Sequence, residues 1–255
     1  MRRLLFLTTI GWHLLSSTPA QSSDAAAPQE PSNVQQFTSV LVLGLGDPAT
    51  TSYANLLRGV QAFHDNHAMA PTADLKFRIT ELVSTGGPLK LRIETEDKVI
   101  PIEIDDEGLF VLPDPVSVGA MDGDLVANRS SGNVHIGPEI RSAGFDNERF
   151  RLGDERLWCE VVSAIKRDEI PLPVRMMVAL KGPICKNSRI KIFRVALKRT
   201  VLGGKLSEGS TQVDLQVDSN NSKVYFPLHD TTWSNEAIVQ LQMVGTNVKR
   251  EKAAR

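Results

Sequence analysis

Aromatic side chains are scarce. They make up 5% of the 255 residues, and of the three tryptophans Trp12 lies near the start, leaving Trp158 and Trp233 for the rest of the chain. Nothing in this composition supports an extended stacking platform for sugars or bases. Charge of either sign is not in excess, with 29 basic against 30 acidic residues. That balance removes the bulk electrostatic reason to bind nucleic acid or anionic lipid, since both need a concentrated basic surface. No G-x-S-x-G elbow occurs, so the strand-to-helix nucleophile of the α/β-hydrolases is missing. Long apolar runs are missing as well. The apolar stretch at the start, Leu4 to Leu15, is 12 residues, whereas crossing a bilayer core takes about 20.

That stretch follows Arg2 and Arg3 and leads into Ser17-Thr18-Pro19-Ala20, which are the three parts of a secretory signal with cleavage near Ala20. Residues 1–20 are therefore expected to be a signal peptide, with no transmembrane segment after cleavage. Their removal leaves 27 basic and 30 acidic residues, a net charge of −3. Residues 21–36, QSSDAAAPQEPSNVQQ, have little to bury and read as a disordered linker. The remaining length can form one large domain or two small ones. The patterning suggests a β-rich domain over 37–150, a helical hairpin with a C-terminal β segment over 151–246, and a charged tail over 247–255.

Phe37 to Gly46 reads as a strand, and Tyr53, Leu56, Leu57, Val60 and Phe63 recur at helical spacing, with Gly59 as a weak point. Between them Gly44-x-Gly46-x-x-Ala49 matches a loose dinucleotide-binding fingerprint. Asp47 would put a carboxylate beside the phosphates, and the strands that follow lack crossover helices, so no cofactor is expected. The helix ends in Phe63-His64-Asp65-Asn66-His67. His64 and His67 could share a face and ligate a metal, but no third ligand is visible nearby, and cations at a helix C-terminus are favourable without any metal.

From Leu75 to Leu112 the period is two: Leu75, Phe77 and Ile79, then Leu89, Leu91 and Ile93, then Ile100, Ile102 and Ile104. Pro101 cannot donate to a ladder, which marks its strand as an edge. Asp105 to Gly108 supplies turn chemistry, and Leu109 to Leu112 reads as a returning strand. Asp105-Asp106-Glu107 and Asp122-Gly123-Asp124 invite a calcium reading, yet neither has the spaced ligand series of a calcium loop. Further strands are expected at 125–128 and 133–136, before breaks near Gly137 and Gly144. Asn128-Arg129-Ser130 and Asn220-Asn221-Ser222 match the glycosylation acceptor pattern, which has meaning only in a eukaryotic secretory pathway.

Asp154 reads as an N-cap, and Leu157, Trp158, Val161, Val162 and Ile165 form an apolar stripe behind it. Pro171 and Pro173 separate a second short helix carrying Val174, Met176, Met177 and Leu180, stopped by Gly182-Pro183. If the two helices are antiparallel, Cys159 lies beside Cys185, and a disulfide is favoured over a nucleophilic Cys159 in an exported chain. The combination of Gly108-Leu109-Phe110-Val111-Leu112-Pro113, Arg151-Leu152-Gly153-Asp154 leading to Cys159-Glu160, and Gly182-Pro183-x-Cys185 resembles a group of uncharacterised exported proteins of Gram-negative bacteria. The resemblance covers most of the mature chain and implies a periplasmic or secreted location. It brings no activity and no catalytic residue.

After Cys185, strands are expected at 190–195, 213–217, 224–226 and 238–244, with turns at Gly203-Gly204 and Ser219 to Ser222. His229-Asp230 suggests a hydrolase pair, but adjacent side chains point apart, and a loop before a strand is the simpler role. The expected fold class is α+β, mainly β: an immunoglobulin-like or transthyretin-like β-sandwich with an embedded disulfide-stapled helical hairpin. The expected function is a non-enzymatic binding or structural module of the cell envelope, with an envelope protein or glycan as partner. The alternative is a hydrolase or metal-dependent enzyme using His64, His67 or His229 with nearby acids.

Overall fold

Residues alternating between apolar and polar place one face in a core and one in solvent, and pairing between such segments supplies their backbone hydrogen bonds. A computed structural model describes residues 48–84, 86–188, 190–195 and 199–244, all within the unit Val42–Arg255. The expected signal, linker, first strand and charged tail lie outside the described residues, as do Gly44 and Gly46. The described part is mostly β, with four sheets and few helices.

In the first sheet, β1 (Pro48–Ser52), β6 (Asp124–Ser130), β3 (Leu91–Glu94) and β4 (Val99–Ile102) pair antiparallel in that order. The second sheet has the order β5 (Leu109–Phe110), β2 (Ala73–Glu81), β7 (Val134–Ser142). A third sheet runs β11 (Thr211–Asp214), β10 (Thr200–Glu208), β13 (Ile238–Val244), β8 (Arg149–Arg151). The fourth is the pair β12 (Lys223–Phe226) and β9 (Ile192–Val195). Pro101 does sit on an edge strand, because β4 ends the first sheet.

Four α-helices are found in the described part, α1 (Tyr53–Asn66), the single turn α2 (Pro115–Val118), α3 (Leu152–Ile165) and α4 (Leu172–Lys181), beside three short 3-10 turns. Ser52 caps α1 by accepting from the Asn55 amide. Tyr53, Leu56 and Phe63 of α1 share a core with Phe77, Ile79, Leu91, Ile93 and Leu125 of the first two sheets. Leu157, Val161 and Ile165 of α3 complete it. A Cβ on Gly59 would come within 2.6 Å of Ile165 and 3.3 Å of Val161. The residue that weakens α1 by propensity is thus the one that lets α3 approach it.

A second core gathers Phe150, Leu152, Val201, Leu206, Phe226, Val239, Leu241 and both cysteines. Trp158 on α3 packs against both cores, and its indole donates to the Pro138 carbonyl at 3.2 Å. The helix therefore occupies the seam between them. At its start, a Cβ on Gly153 would strike the carbonyl of Met69 and stand 2.9 Å from that of Asn235. Both obstacles are backbone, so neither can swing away as a side-chain end would. Gly153→Ala is expected to cost about 1–3 kcal/mol, the usual range for overpacking, measurable as a lowered urea midpoint with an unchanged denaturant slope.

Several local expectations need correction. Gly203-Gly204 is no turn; both residues lie inside β10, where an irregularity between Val201 and Gly203 shifts the register against β13. β7 runs through Gly137-Pro138 without breaking, because it is an edge strand and tolerates a missing donor. The strand beginning at Leu109 leaves its predecessor's sheet and pairs with β2. Ala49, the last position of the dinucleotide fingerprint, is buried in β1, where a phosphate loop would need a turn into a helix. Asp154 lies inside α3 and is not its N-cap; its carboxylate accepts from the Arg151 amide at 3.3 Å and the Ser142 hydroxyl at 2.7 Å. Cys159 stands mid-helix in α3 and is bonded to Cys185 in the turn after α4. The side chains of Val174 and Met177 lie outside the described residues.

Candidate functional site

The sequence-predicted histidines are not assembled into a site. His64 is exposed, with its ring edge-on to Phe63 at 5.7 Å. His67 places Nε2 3.1 Å from the Ala73 carbonyl and its ring 4.9 Å from that of Phe63. His229 is exposed in the loop between β12 and β13. Its neighbour Asp230 faces Thr232, accepting from that residue's hydroxyl at 2.7 Å and amide at 3.0 Å, and these bonds hold its carboxyl below the usual range. Arg156 of α3 pins the same loop by donating to the carbonyls of Leu228, Asp230 and Trp233 and to the Asn235 side chain. Among the described residues no group of three or more His, Cys, Asp or Glu side chains could hold a metal ion. Asp105, a calcium candidate, instead caps its turn by accepting from the amides of Glu107 and Leu109.

A buried charge cluster at the seam went unread. Glu155 of α3 is only 1% exposed. Arg194 of β9 approaches its Oε1 at 3.2 Å and Arg141 of β7 at 4.0 Å. Arg141 also donates to Glu139 and Asn147, each at 2.8 Å. Both guanidinium groups lie near the Phe150 ring, at 5.0 Å for Arg141 and 5.9 Å for Arg194, and Arg194 also covers Trp158 at 5.2 Å. Burial pushes the Glu155 carboxyl up, and Arg194 followed by Arg141 draws it partly back. Burial acts the same way on Glu139, but there Arg194, Arg141 and Arg78 prevail and hold it below the usual range. The cluster ties β7, β9 and α3 together by charge, while both Glu155 carboxylate oxygens and Nε and Nη1 of Arg141 are buried without a hydrogen-bond partner among the described residues.

The outer face of the third sheet is arranged differently. Its register sets Lys205 of β10 opposite Asp214 of β11 and Gln240 of β13, with Ser207 opposite Gln212 and Gly203 opposite Gln242. Alternate residues of a strand share a face, so Lys205, Gln212, Asp214, Gln240 and Gln242 all point outward, and each is exposed. Gly203 contributes no side chain between them. The result is a concavity of about 400 Å³ beside the register irregularity between Val201 and Gly203. Leu215, a member of the second core, forms part of its floor. The alternation of Gln240 and Gln242 with apolar neighbours was the visible sign of this face. The missed part was β10, whose glycine pair reads as a turn until its two sheet partners are known.

Chemically, three side-chain amides offer paired donors and acceptors, an ammonium adds donors, and a carboxylate adds acceptors. The positive and negative charges cancel. Such a surface can both donate and accept hydrogen bonds while carrying no net charge. The chain matches no family model, and neither the curated proteins nor the solved structures contain a significant match to it.

Proposed function

We propose that this chain is an exported, non-enzymatic binding module of the cell envelope that holds a neutral glycan on the outer face of its third sheet. The observation that supports the reading is the open concavity around Gly203, where Lys205, Gln212, Asp214, Gln240 and Gln242, with no net charge between them, surround a floor that includes Leu215. Sugar hydroxyls donate and accept at once, as the amides of Gln212, Gln240 and Gln242 do. An extended protein ligand would favour a sheet edge, where its backbone can pair, and would need pockets for its side chains. The Cys159–Cys185 disulfide fits an oxidising compartment, in keeping with the signal-like start and with the resemblance to exported proteins of Gram-negative bacteria. For the architecture we propose a sandwich of immunoglobulin-like or transthyretin-like type, supported by two antiparallel sheets that contribute to one core. The hydrolytic alternative rests on the neighbours His229 and Asp230, but the Asp230 carboxylate is taken up by the hydroxyl and amide of Thr232.

The test titrates the exported chain with a panel of neutral and N-acetylated oligosaccharides while backbone amide resonances are followed. Shifts confined to β10, β11 and β13, abolished by Gln240→Ala with Gln242→Ala, are the expected result. These side chains are exposed, so the double variant should keep its unfolding midpoint. No shift with any member of the panel, or shifts elsewhere in the chain, would overturn the assignment.

A further inference from the structure

α4 carries exposed apolar side chains. Leu172, Met176 and Leu180 are 63%, 59% and 83% exposed. Spaced four apart, they make one line along the helix. Three large apolar side chains in a row on a surface mark a contact with something else.

Charge indicates what that contact is. The whole chain is nearly neutral, but α4 contains Arg175 and Lys181 and no acid. Arg167 precedes the helix and Lys186 follows it, both exposed. The two acids of this stretch are already occupied, Asp168 by Arg58 at 2.6 Å and Glu169 by Lys166 at 2.8 Å. Arg167 and Arg175 have no acidic partner among the described residues. An apolar line with Arg167 and Arg175 beside it fits the boundary between anionic headgroups and acyl chains, where a short helix can lie flat. A second copy of the chain fits poorly, because a two-fold contact centred on Met176 would bring Arg175 towards its own counterpart. Pro171 and Pro183 bound the helix, and the disulfide at Cys185 fastens its C-terminal side to α3. The line is thus presented on a fixed base.

We infer that α4 is a membrane-surface contact, seating the folded chain on an anionic lipid bilayer through Leu172, Met176 and Leu180 with Arg175 beside them. No helix among the described residues is long and apolar enough to cross a membrane, and this contact crosses nothing. It stands apart from the glycan face, and the two can fail separately.

Co-sedimentation of the disulfide-bonded exported chain with vesicles tests it. Vesicles of phosphatidylglycerol and phosphatidylethanolamine are compared with vesicles of phosphatidylcholine alone. The chain is expected to pellet with the anionic vesicles, less so as salt is raised, and far less with phosphatidylcholine. Leu180→Glu should lower the partition by about tenfold or more, by adding a repelled charge and removing apolar contact. Arg175→Glu should weaken it and flatten the salt dependence. Both positions are exposed, and unchanged oligosaccharide binding would show that each variant is folded; if that binding is absent throughout, an unchanged unfolding midpoint serves instead. Absence of pelleting with anionic vesicles would overturn the inference, as would pelleting indifferent to Leu180→Glu. A concentration-dependent dimer lost in Leu180→Glu would also overturn it, by assigning the line to a second copy.

Discussion

Glu155→Ala is expected to destabilise the folded chain by about 3–5 kcal/mol, the range for removing one member of a buried ion cluster. The carboxylate is 1% exposed and lies against Arg194 and Arg141, whose side chains are themselves only 18% and 14% exposed. Its removal leaves two buried cations near the Phe150 ring, with Glu139 as the remaining close acid. The upward push on the Glu155 carboxyl shows that the arginines do not fully offset the cost of taking it from water. The cluster is therefore costly to break without being a strong source of stability when intact. Glu155→Gln should lose less, since it fills the space and keeps a polar oxygen near the Arg194 guanidinium, which stands 3.2 Å from Oε1. Glu155→Leu combined with Arg194→Met should recover much of the loss, because it removes both desolvated charges and retains apolar volume against Trp158 and Phe150. Urea unfolding of the four proteins with a shared denaturant slope measures this. An alanine variant within about 0.5 kcal/mol of wild type, as for an ordinary surface substitution, would mean that water reaches the seam.

That cluster also shows where sequence reading stops. Arg141 and Arg194 each sit in an alternating strand, where a charged residue reads as the solvated face. Only the placement of α3 between β7 and β9 turns those faces inward. Glu155 carried a local sign, since Leu152, Glu155 and Cys159 share one side of α3 and the outer two are in the second core. Where local pattern and tertiary role agree, sequence reading suffices: β13 matches its alternation over Ile238–Val244, β4 lies on an edge as Pro101 requires, and Gly182 ends α4. Where neighbours decide, it fails. Gly203-Gly204 joins a strand because a Cβ on Gly204 would stand 2.8 Å from Leu241, so the glycine serves packing between strands. β8 is three residues long, too short to show a period. Met176 and Leu180 of the exposed line on α4 show as apolar helical spacing, but nothing local distinguishes a helix stripe that is covered from one that is not.

Loss of the Cys159–Cys185 bond is the second large effect expected. The bond joins the middle of α3 to the turn after α4, across a sequence separation of 26 and a Cα distance of 5.9 Å. A loop of that length, closed in the unfolded chain, contributes about 3.5 kcal/mol on the chain-entropy estimate. Cys159→Ala with Cys185→Ala should lower stability by about that amount. Reduction of the wild type with blocking of both thiols in the folded state should do nearly the same, after adjustment for the bulk of the blocking group. Both cysteines are buried in the second core, so the reduced, unblocked protein separates the cross-link from the packing of the two sulfurs. If the cross-link dominates, the reduced wild type and the double alanine variant unfold together and well below the oxidised form. If packing dominates, the reduced wild type stays near the oxidised form and only the alanines fall. Hydrogen exchange adds a spatial prediction. α4 has an uncovered apolar line and its far end is held through Cys185, so its amides should lose protection on reduction before those of β10 and β13, whose ladder does not depend on the bond. The same loss would loosen the base on which α4 is presented, so vesicle binding should weaken on reduction while oligosaccharide binding at the third sheet persists.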